Sequence, residues 1–486
     1  MTDFLLVVYA IPLIFIFSYS LVQLSLIFSY WQRKAFTVQV SKLKASELPF
    51  VTIQLPVYNE LYVVERLIEA VAAFDYPKDK FEIQILDDST DETSEIIAKK
   101  IQELLSQNID IQHIRRPNRI GFKAGALAHG LEIAKGEFIA IFDADFVPNK
   151  DFLQKTIPYF QNPAIGVVQT RWQHLNKDFS ILTQLQAFGL DAHFTIEQGG
   201  RNASGHFINF NGTAGVWRRK AIDDAGGWQA DTLTEDLDLS YRSQLKGWQF
   251  VYLEDVGSPA ELPVAMKAIK SQQYRWSKGA AECTVKNFKR LWGSPNFSFS
   301  TKLHGFYHLM NSATFVFIVA LALLSIPVLL ITSKTENYFD IFRFTAYFQV
   351  SWVILGIFYW ISFRKTETSI FSFTKKFFLF LVFMMGLSVH NAVAVIEGWI
   401  GRKTPFIRTP KFNVIHKNDV WQSNKYLSER LAGTNWLEIF LLIYCAIGLV
   451  LDVYLHNYGM VLFHAMMVMG LSSIIFYTLK HSKNLG

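Results

Sequence analysis

The chain alternates between long apolar runs and a central region whose hydrophobic positions follow the periods of strands and helices. Residues 4–28 are almost continuously apolar, and further apolar runs cover about 306–331, 344–363, 375–398, 436–455 and 458–480. A membrane-spanning helix needs about 20 predominantly apolar residues. The pattern therefore predicts an integral membrane protein with a water-soluble part between residues 50 and about 260.

Within that central region, short β-prone runs alternate with amphipathic helical stretches. Strands are predicted at 51–55, 81–86, 111–114 and 138–145, and helices at 60–74, from a capping box at 89–92 onward, and at 123–135. Regular alternation of this kind predicts an α/β domain with a mostly parallel sheet and right-handed crossovers. The motif G-x-G-x-x-G follows none of these strands, which disfavours a dinucleotide-binding site.

Acidic residues follow three of the predicted strands: Glu60, then Asp87 and Asp88, then Asp143 and Asp145. The carboxyl ends of parallel strands form one ligand-binding edge. Residues i and i+2 of a strand share a face, so the last two carboxylates should lie side by side. Hard divalent cations bind such carboxylates together with substrate phosphates. We expect this pair to hold Mg²⁺ or Mn²⁺ carrying a nucleotide diphosphate; the alternative is an ordinary turn, where Asp is common.

Composition supports a membrane protein and argues against a nucleic-acid partner. Charged residues make up only 18% of the 486 residues, and the formal net charge is +6. This mild basic excess is explained by residues that flank membrane spans. The two cysteines, Cys283 and Cys445, form neither a disulfide framework nor a zinc spacing.

Basic residues also predict the topology. Arg33 and Lys34 follow the first apolar run, so the amino terminus should face outward and residues 32–300 the cytosol. Basic residues lie on both sides of 375–398, and polar residues within it are expensive in lipid. We expect that run to be an interfacial or protein-buried helix, which leaves five spans and a cytosolic loop at 400–430. The alternative is a sixth span.

Three regions follow from this pattern. They are an amino-terminal transmembrane helix at 1–31, a cytosolic domain at 32–300 and a membrane domain at 301–486. Basic and aromatic residues at 280–304 favour a helix lying on the membrane surface. A basic loop at 402–412 follows the interfacial helix.

Four short motifs occur in a specific order: D-D-S at 87–89, D-A-D at 143–145, T-E-D at 234–236 and Q-x-x-R-W at 272–276. Together they resemble the membrane-embedded family 2 glycosyltransferases, which include the cellulose, hyaluronan and chitin synthases. The segment 406–411 resembles the gating loop F-x-V-T-x-K of cellulose synthases, with Arg408 where Val is usual.

Three further stretches, at 121–127, 191–198 and 210–217, resemble the cellulose-synthase-like A proteins, the glucomannan 4-beta-mannosyltransferases. The likeness is strong from about 45 to 300 and looser to about 415. The last two spans match only in general pattern. The resemblance implies a GT-A-like domain, α/β with a mostly parallel sheet, inserted between transmembrane helices, and an α-helical membrane domain.

The resemblance also implies roles for individual residues. Asp236 is the candidate catalytic base, and Glu235 beside it is ranked lower, as a substrate contact. Metal ligation goes chiefly to Asp145. Glu60 and Lys123 are implied nucleotide contacts.

Further implied contacts surround the donor and acceptor. The nucleobase and ribose of the sugar-nucleotide donor would lie near Asp87 and Asp88. Gln272 and Arg275 would help to hold the diphosphate. The resemblance further implies that the indole of Trp276 stacks on the acceptor sugar and that Asn211 lies near the acceptor. It also implies that Thr409 and Lys411 close over the diphosphate.

Each motif has a simpler structural interpretation. The segment 234–236 alone is typical of a helix amino terminus. Trp276 alone is typical of a membrane-interface anchor, and 406–411 of a basic segment on anionic lipid.

We therefore expect processive, inverting transfer of a hexose from GDP-mannose or UDP-glucose to the non-reducing end of a β-linked polysaccharide, with export through the protein's own helices. Transfer of one sugar to a lipid such as ceramide or diacylglycerol is the main alternative, and a non-enzymatic scaffold is a remote one. The partners would be the donor, the acceptor, the bilayer and accessory export subunits. The expected location is the inner membrane in bacteria or the Golgi in eukaryotes.

Overall fold

The computed structural model describes residues 2–33, 43–333, 348–422, 424–426 and 435–483. An α/β domain follows the first long helix, and a group of apolar helices follows the α/β domain.

A single mixed sheet organises the α/β domain. Its order is β3-β2-β1-β4-β6-β5-β7, and β6 alone runs antiparallel to its neighbours β4 and β5. The strands are β1 (Val51–Val57), β2 (Phe81–Asp87), β3 (Ile111–Arg115), β4 (Phe138–Ile141), β5 (Ile165–His174), β6 (Gly215–Arg218) and β7 (Gln249–Ala260). This arrangement confirms the predicted mostly parallel α/β fold.

Burial explains why the central strands read as nearly continuous apolar runs. Every residue of β2 and β4 is buried, as expected for parallel strands covered on both faces. One apolar cluster gathers side chains such as Ile53 and Phe142, and a second gathers Ile139 and Trp217. The two covered faces leave the carboxyl-terminal edge as the place where polar side chains meet.

Sixteen α-helices are assigned within the described ranges. They are α1 (Thr2–Gln32), α2 (Val64–Ala72), α3 (Thr93–Leu105), α4 (Phe122–Ile133), α5 (Phe152–Thr156), α6 (Ile181–Ala192), α7 (Gly199–Ala203), α8 (Arg219–Asp224), α9 (Glu235–Leu245), α10 (Met266–Gly293), α11 (Phe299–Leu309), α12 (Ala313–Thr332), α13 (Val350–Phe363), α14 (Ile370–Trp399), α15 (Asn435–Tyr454) and α16 (Val461–Lys483). A π-helical segment, His193–Gln198, joins α6 to α7.

Two local predictions are wrong. The predicted capping box does not form, because α3 begins at Thr93 and Glu92 at its N-cap makes no side-chain capping bond. Ser89 instead donates its backbone N–H to Asp87 and accepts from the backbone N–H of Asn59. The predicted helix at 60–74 is also too long, since α2 covers only Val64–Ala72.

The strand-face argument for the D-A-D motif is also wrong. Strand β4 ends at Ile141, so Asp143 and Asp145 lie in the turn that follows it. Both carboxylates still lie at the carboxyl end of the strand. Their side chains, however, contact different lysines, Lys123 and Lys411.

By length and composition, five helices in the described part of the chain could cross a membrane: α1, α12, α14, α15 and 458–482 around α16. Helix α13 is apolar but has only 14 residues, and the start of the run at 344–363 lies outside the described residues. The run at 375–398 lies inside α14, whose most apolar window is 72% buried within the protein. Whether α14 crosses the membrane stays a prediction.

Candidate functional site

Lys123 occupies the centre of the sheet's carboxyl-terminal edge. It lies in the first turn of α4, and its Nζ is 2.5 Å from Asp143 Oδ1 and 2.9 Å from the carbonyl oxygen of Gly212. Burial lowers the pKa of Lys123, but the charges of Asp143 and Glu235 outweigh burial, so the net shift is upward. A permanent cation therefore lies beside the D-A-D motif.

Asp236 lies next to this lysine, in the first turn of α9. A Cβ atom added to Gly212 would lie 2.8 Å from Asp236 Oδ2 and 3.5 Å from Lys123 Nζ. Gly212 has φ +80°, a backbone conformation that favours glycine. Because glycine has no side chain, the Asp236 carboxylate can lie close to its backbone. The structure thus brings the proposed base and one D-A-D carboxylate to the same lysine.

The protonation of Asp236 is set by its surroundings. Burial and the neighbouring Glu235 raise its pKa to about 7, although Lys123 opposes them. The first-turn position confirms that the T-E-D motif begins a helix, but Thr234 makes no side-chain capping bond there. Glu235 is also buried and lines a cavity with Lys123, Glu282 and Phe406. A carboxyl group with a pKa near neutrality is suited to general-base chemistry.

The two carboxylates at the end of β2 are occupied by protein partners. Asp87 accepts from the Ser94 hydroxyl at 2.6 Å and lies 2.8 Å from His113 Nε2. Burial raises its pKa, but these hydrogen bonds outweigh burial and lower the pKa to about 2. Asp88 receives two hydrogen bonds from Arg116, which also donates to the carbonyl oxygen of Phe122. Asp88 therefore braces the loop that precedes Lys123, and Asp87 ties α3 to β3. Contacts of either carboxylate with a nucleotide stay a prediction.

The loop at 402–412 lies over the same edge of the sheet. Lys411 Nζ donates to Asp145 Oδ2 at 2.7 Å, and Arg408 Nη1 lies 2.6 Å from Glu60 Oε2. Thr409, which lies between Arg408 and Lys411 in the sequence, is buried. Sequence reasoning named Thr409 and Lys411, and the loop does lie against Glu60 and Asp145.

Several buried polar atoms at this edge lack a hydrogen-bond partner among the described residues. Asp145 Oδ1 and Thr409 Oγ1 are two of them. Free carboxylate lone pairs fit a hard divalent cation. No group of three or more His, Cys, Asp or Glu side chains in the described ranges could hold a metal by itself. A cation here would therefore rely on phosphate and water for its other ligands, as Mg²⁺ usually does.

The acceptor-side motif lies on α10. Gln272, Arg275 and Trp276 fall at i, i+3 and i+4 of this helix, which places them on one face. All three are half-buried. Arg275 lies over the ring of Phe406 at 4.9 Å, so the motif touches the 402–412 loop.

Asn211 lies in the loop that also carries Gly212. Its side-chain Oδ1 accepts from Asn209 Nδ2 at 2.7 Å, and its backbone N–H donates to Gln169. Its Nδ2 is buried without a hydrogen-bond partner in the described part of the chain. The side-chain amide N–H of Asn211 could therefore donate a hydrogen bond to a substrate hydroxyl.

Sequence reasoning missed two residues that shape the site, and it noted Arg408 as an added cation without predicting its partner. Arg116 holds Asp88, Glu261 accepts the backbone N–H of Phe412 at 2.8 Å, and Arg408 pairs with Glu60. Arg408 was visible as a departure from the gating-loop pattern. For Arg116 and Glu261 no local signal existed, because their partners lie far away in the sequence.

The α/β domain matches a known protein family. The model of a family described as "Glycosyltransferase like family 2" matches residues 49–279. Curated relatives include "Probable glucomannan 4-beta-mannosyltransferase 4" of Oryza sativa subsp. japonica, 44% identical over 269 residues, and "Glucomannan 4-beta-mannosyltransferase 1" of Cyamopsis tetragonoloba, 45% identical over 253 residues. These matches cover 54% and 51% of this chain and 49% and 48% of the relatives. The chain thus spans about half the length of the curated relatives it matches.

A solved structure supports the fold. It is "Mannosyltransferase PcManGT from Pyrobaculum calidifontis in complex with GDP-Man and Mn2+", with a TM-score of 0.53 and 19% sequence identity. The match covers 73% of this chain and 98% of that chain. At this identity the likeness concerns the fold alone.

Proposed function

Because residues 49–279 match the model of glycosyltransferase family 2, we propose that this chain transfers a hexose from a nucleotide sugar to the non-reducing end of a β-linked polysaccharide. The observation that carries the proposal is the contact of Lys123 with Asp143 and with the Gly212 backbone beside Asp236. The site therefore combines a base of near-neutral pKa with a cation for developing phosphate charge.

The residues support a single displacement with inversion. Asp236 removes the proton from the acceptor hydroxyl as the hydroxyl oxygen attacks the anomeric carbon. Lys123, which is paired with Asp143, attracts the departing diphosphate. A divalent cation held by Asp145, with Asp143 nearby, would neutralise the leaving group when bound. Trp276 offers an apolar indole face for the acceptor sugar ring.

The proposed donor is GDP-mannose, with UDP-glucose second. Support comes from the relatives, which are described as glucomannan 4-beta-mannosyltransferases and are 40–45% identical to this chain over the matched segment. For the polymer we propose processive growth and export between the membrane helices. The ion pair between Lys270 of α10 and Glu438 of α15 supports this, since α10, which carries the acceptor-side motif, packs directly on a candidate membrane span.

A donor screen tests the proposal. The purified full chain in lipid nanodiscs is given Mn²⁺ or Mg²⁺ and, in parallel, GDP-mannose, GDP-glucose, UDP-glucose or UDP-N-acetylglucosamine. We expect a long product from GDP-mannose that β-mannanase digests. A product of one sugar on lipid would favour the ceramide or diacylglycerol alternative. Absence of transfer and of donor hydrolysis with all four donors would overturn the assignment as an enzyme.

Substitution of the base tests the mechanism. Asp236→Asn keeps the side-chain volume but removes the proton acceptor, so transfer should fall at least a hundredfold, a typical contribution of general-base catalysis. The matched control is Asp224→Asn, because Asp224 is exposed on α8. Full activity of the Asp236 variant, measured by donor-dependent polymer synthesis, would show that another group is the base.

A further inference from the structure

A small cavity lies between the start of α4, the segment 230–235 and α10. Its volume is about 70 Å³, and Lys123, Glu235 and Glu282 are among the residues that line it. A single water needs roughly 10–15 Å³, whereas pockets that enclose a drug-sized ligand measure roughly 300–1,000 Å³. The cavity therefore has the size for several hydroxyl groups and is too small for a nucleotide.

Glu235 lines this cavity without a protein partner for its carboxylate. The residue is only 8% exposed, and in the described part of the chain its side chain has no hydrogen bond or salt bridge. Lys123 and Asp236 act on it only through their charges. A buried carboxylate without hydrogen-bond donors is costly. A ligand that supplies hydroxyl donors would remove that cost.

Glu282 lines the same cavity from α10, the helix that carries the Q-x-x-R-W motif. Its Oε2 accepts the backbone N–H of Leu233 at 2.7 Å, and Lys403 donates to the backbone carbonyl oxygen of Asp231 at 3.2 Å. These two bonds fix the segment that leads into the T-E-D motif. Oε1 of Glu282 has no hydrogen bond within the described ranges, so it is available to a ligand.

The walls of the cavity favour hydroxyl groups over phosphate. Glu235 and Glu282 repel an anion, whereas their carboxylate oxygens accept hydrogen bonds from hydroxyls. Phe406 and Phe122, which also line the cavity, stack with 5.6 Å between their ring centroids. Such an aromatic wall suits the apolar face of a sugar ring. The chemistry of the cavity therefore matches the hydroxyl-bearing edge of a hexose.

Lys123 joins the cavity to the donor site. It lines the cavity, and its Nζ is 2.5 Å from Asp143 Oδ1 of the D-A-D motif. Under the proposed function Lys123 attracts the diphosphate of the donor, and in a sugar nucleotide the hexose is bonded directly to that diphosphate. Trp276, the proposed platform for the acceptor sugar, is not among the residues that line the cavity. The hexose that fits this position is therefore that of the donor.

We propose that this cavity recognises the hydroxyl pattern of the donor hexose, and that Glu235 and Glu282 determine which hexose is transferred. Glu235 accepts hydrogen bonds from hexose hydroxyls. Glu282 accepts one through Oε1 and positions the segment 231–233 through Oε2. A hexose whose hydroxyls point elsewhere leaves these carboxylates unpaired, and a site built to bind substrate hydroxyls discriminates strongly against such an analogue.

This role rests on the proposed function only for its ligand, a sugar nucleotide, so it is tested by binding without sugar transfer. Calorimetry on the full-length protein with Mn²⁺ and no acceptor gives the affinities for GDP-mannose and GDP, with UDP-glucose and UDP in parallel. Glu235→Gln and Glu282→Gln should each weaken the sugar nucleotide about tenfold without weakening the nucleotide alone, because only the hexose loses a partner. The amide oxygen in Glu282→Gln can still accept the Leu233 N–H. Glu132→Gln, exposed on α4, is the control.

GDP-glucose differs from GDP-mannose only at carbon 2 of the hexose and tests specificity. Both variants should reduce the wild-type preference between these two donors by roughly threefold or more. No preference in wild type, or equal affinities of the variants and wild type for the sugar nucleotides, would overturn the inference. Weaker binding of a β-mannan oligosaccharide with unchanged donor binding would also overturn it, since the cavity would then serve the acceptor. If the variants bind as expected but no hexose is transferred, the proposed function fails and this inference stands.

Discussion

At the scale of single residues, two aspartates near the same sheet edge have pKa values that their surroundings shift in opposite directions. Asp87 is held by Ser94 and His113, so its pKa falls to about 2 despite burial. Asp236 is buried beside another acid, and its pKa rises to about 7. Divergent pKa values among neighbouring carboxylates separate structural anions from acid–base groups. This contrast supports the proposal that Asp236 takes the proton from the acceptor.

The pH dependence of the reaction follows from this assignment. A base works in its deprotonated form, so kcat/KM should rise tenfold per pH unit below about pH 7 and level off above it. Glu235→Gln removes the repulsion that helps to raise the Asp236 pKa, so the rising limb should move to lower pH. Initial rates from pH 5 to 9 at saturating metal check this. A rate independent of pH between 5 and 7 would contradict the assignment.

Gly212 should be important for activity because it has no side chain that would collide with Asp236, as well as for its backbone conformation. Gly212→Ala would place a methyl group 2.8 Å from Asp236 Oδ2 at a φ of +80°. We expect a loss of about 1–2 kcal/mol in stability from backbone strain and at least a tenfold loss of transfer. Gly227→Ala is a matched control, since Gly227 has φ +70° but nothing within 4 Å of its Cβ position. Similar activity losses in both variants would show that strain alone is responsible.

The sequence predicted the acidic residues of the site better than their partners. Glu60, Asp87, Asp88, Asp143 and Asp145 follow strands, and strand ends are readable from hydrophobic patterning. Which cation each carboxylate meets depends on tertiary packing, and periodicity contains no information about it.

At the scale of elements, α10 connects the α/β domain to the membrane helices through a buried ion pair. Lys270 Nζ lies 2.7 Å from Glu438 Oε1 of α15, with side-chain exposures of 4% and 0%. Lys270 precedes Gln272 by two residues, so this pair fixes the start of the acceptor motif. His390 of α14 also hydrogen-bonds the carbonyl oxygen of Lys270 at 2.9 Å.

Breaking this pair should destabilise the protein strongly. Lys270→Met leaves Glu438 buried and unpaired, which costs about 3–5 kcal/mol. The double variant Lys270→Met/Glu438→Leu removes both charges and should regain most of that loss. Lys289→Met, on the exposed side of the same helix, is the control. Unfolding midpoints in detergent micelles report these differences; no recovery in the double variant would contradict the ion-pair explanation.

Helix contacts in the membrane domain were beyond sequence reasoning. A Cβ atom on Gly386 of α14 would lie 2.4 Å from the carbonyl oxygen of Gly470 of α16. Small residues allow such close approach between membrane helices. The two glycines are far apart in the sequence, and a long apolar run does not reveal which face meets which helix.

At the scale of the whole molecule, contacts between the membrane helices and the α/β domain constrain the topology. Lys365, just after α13, pairs with Glu254 of β7. Beyond α14, Lys411 reaches Asp145 in the donor site. Both ends of α14 therefore lie on the side of the α/β domain, although its length and hydropathy would allow it to cross.

Two further residues of α14 contact helices α6 and α10. Phe380 packs against Gly189 of α6, and Glu397 accepts a hydrogen bond from Tyr274 of α10. A single helix whose two ends lie on the same side of a membrane does not cross it. We therefore predict that α14 lies at the interface, and that five spans are completed by the apolar run at 344–363.

Cysteine labelling of cells and inverted vesicles checks this topology, in a chain whose Cys283 and Cys445 are replaced. Thr366→Cys, before α14, and Lys417→Cys, after it, should both react with a membrane-impermeant maleimide only from the cytosolic side. His456→Cys, between α15 and α16, should react only from the opposite side. All three residues are exposed. If α14 crosses, positions 366 and 417 would label from opposite sides, and the loop at 402–412 could not reach a cytosolic Asp145 while Lys365 pairs with Glu254.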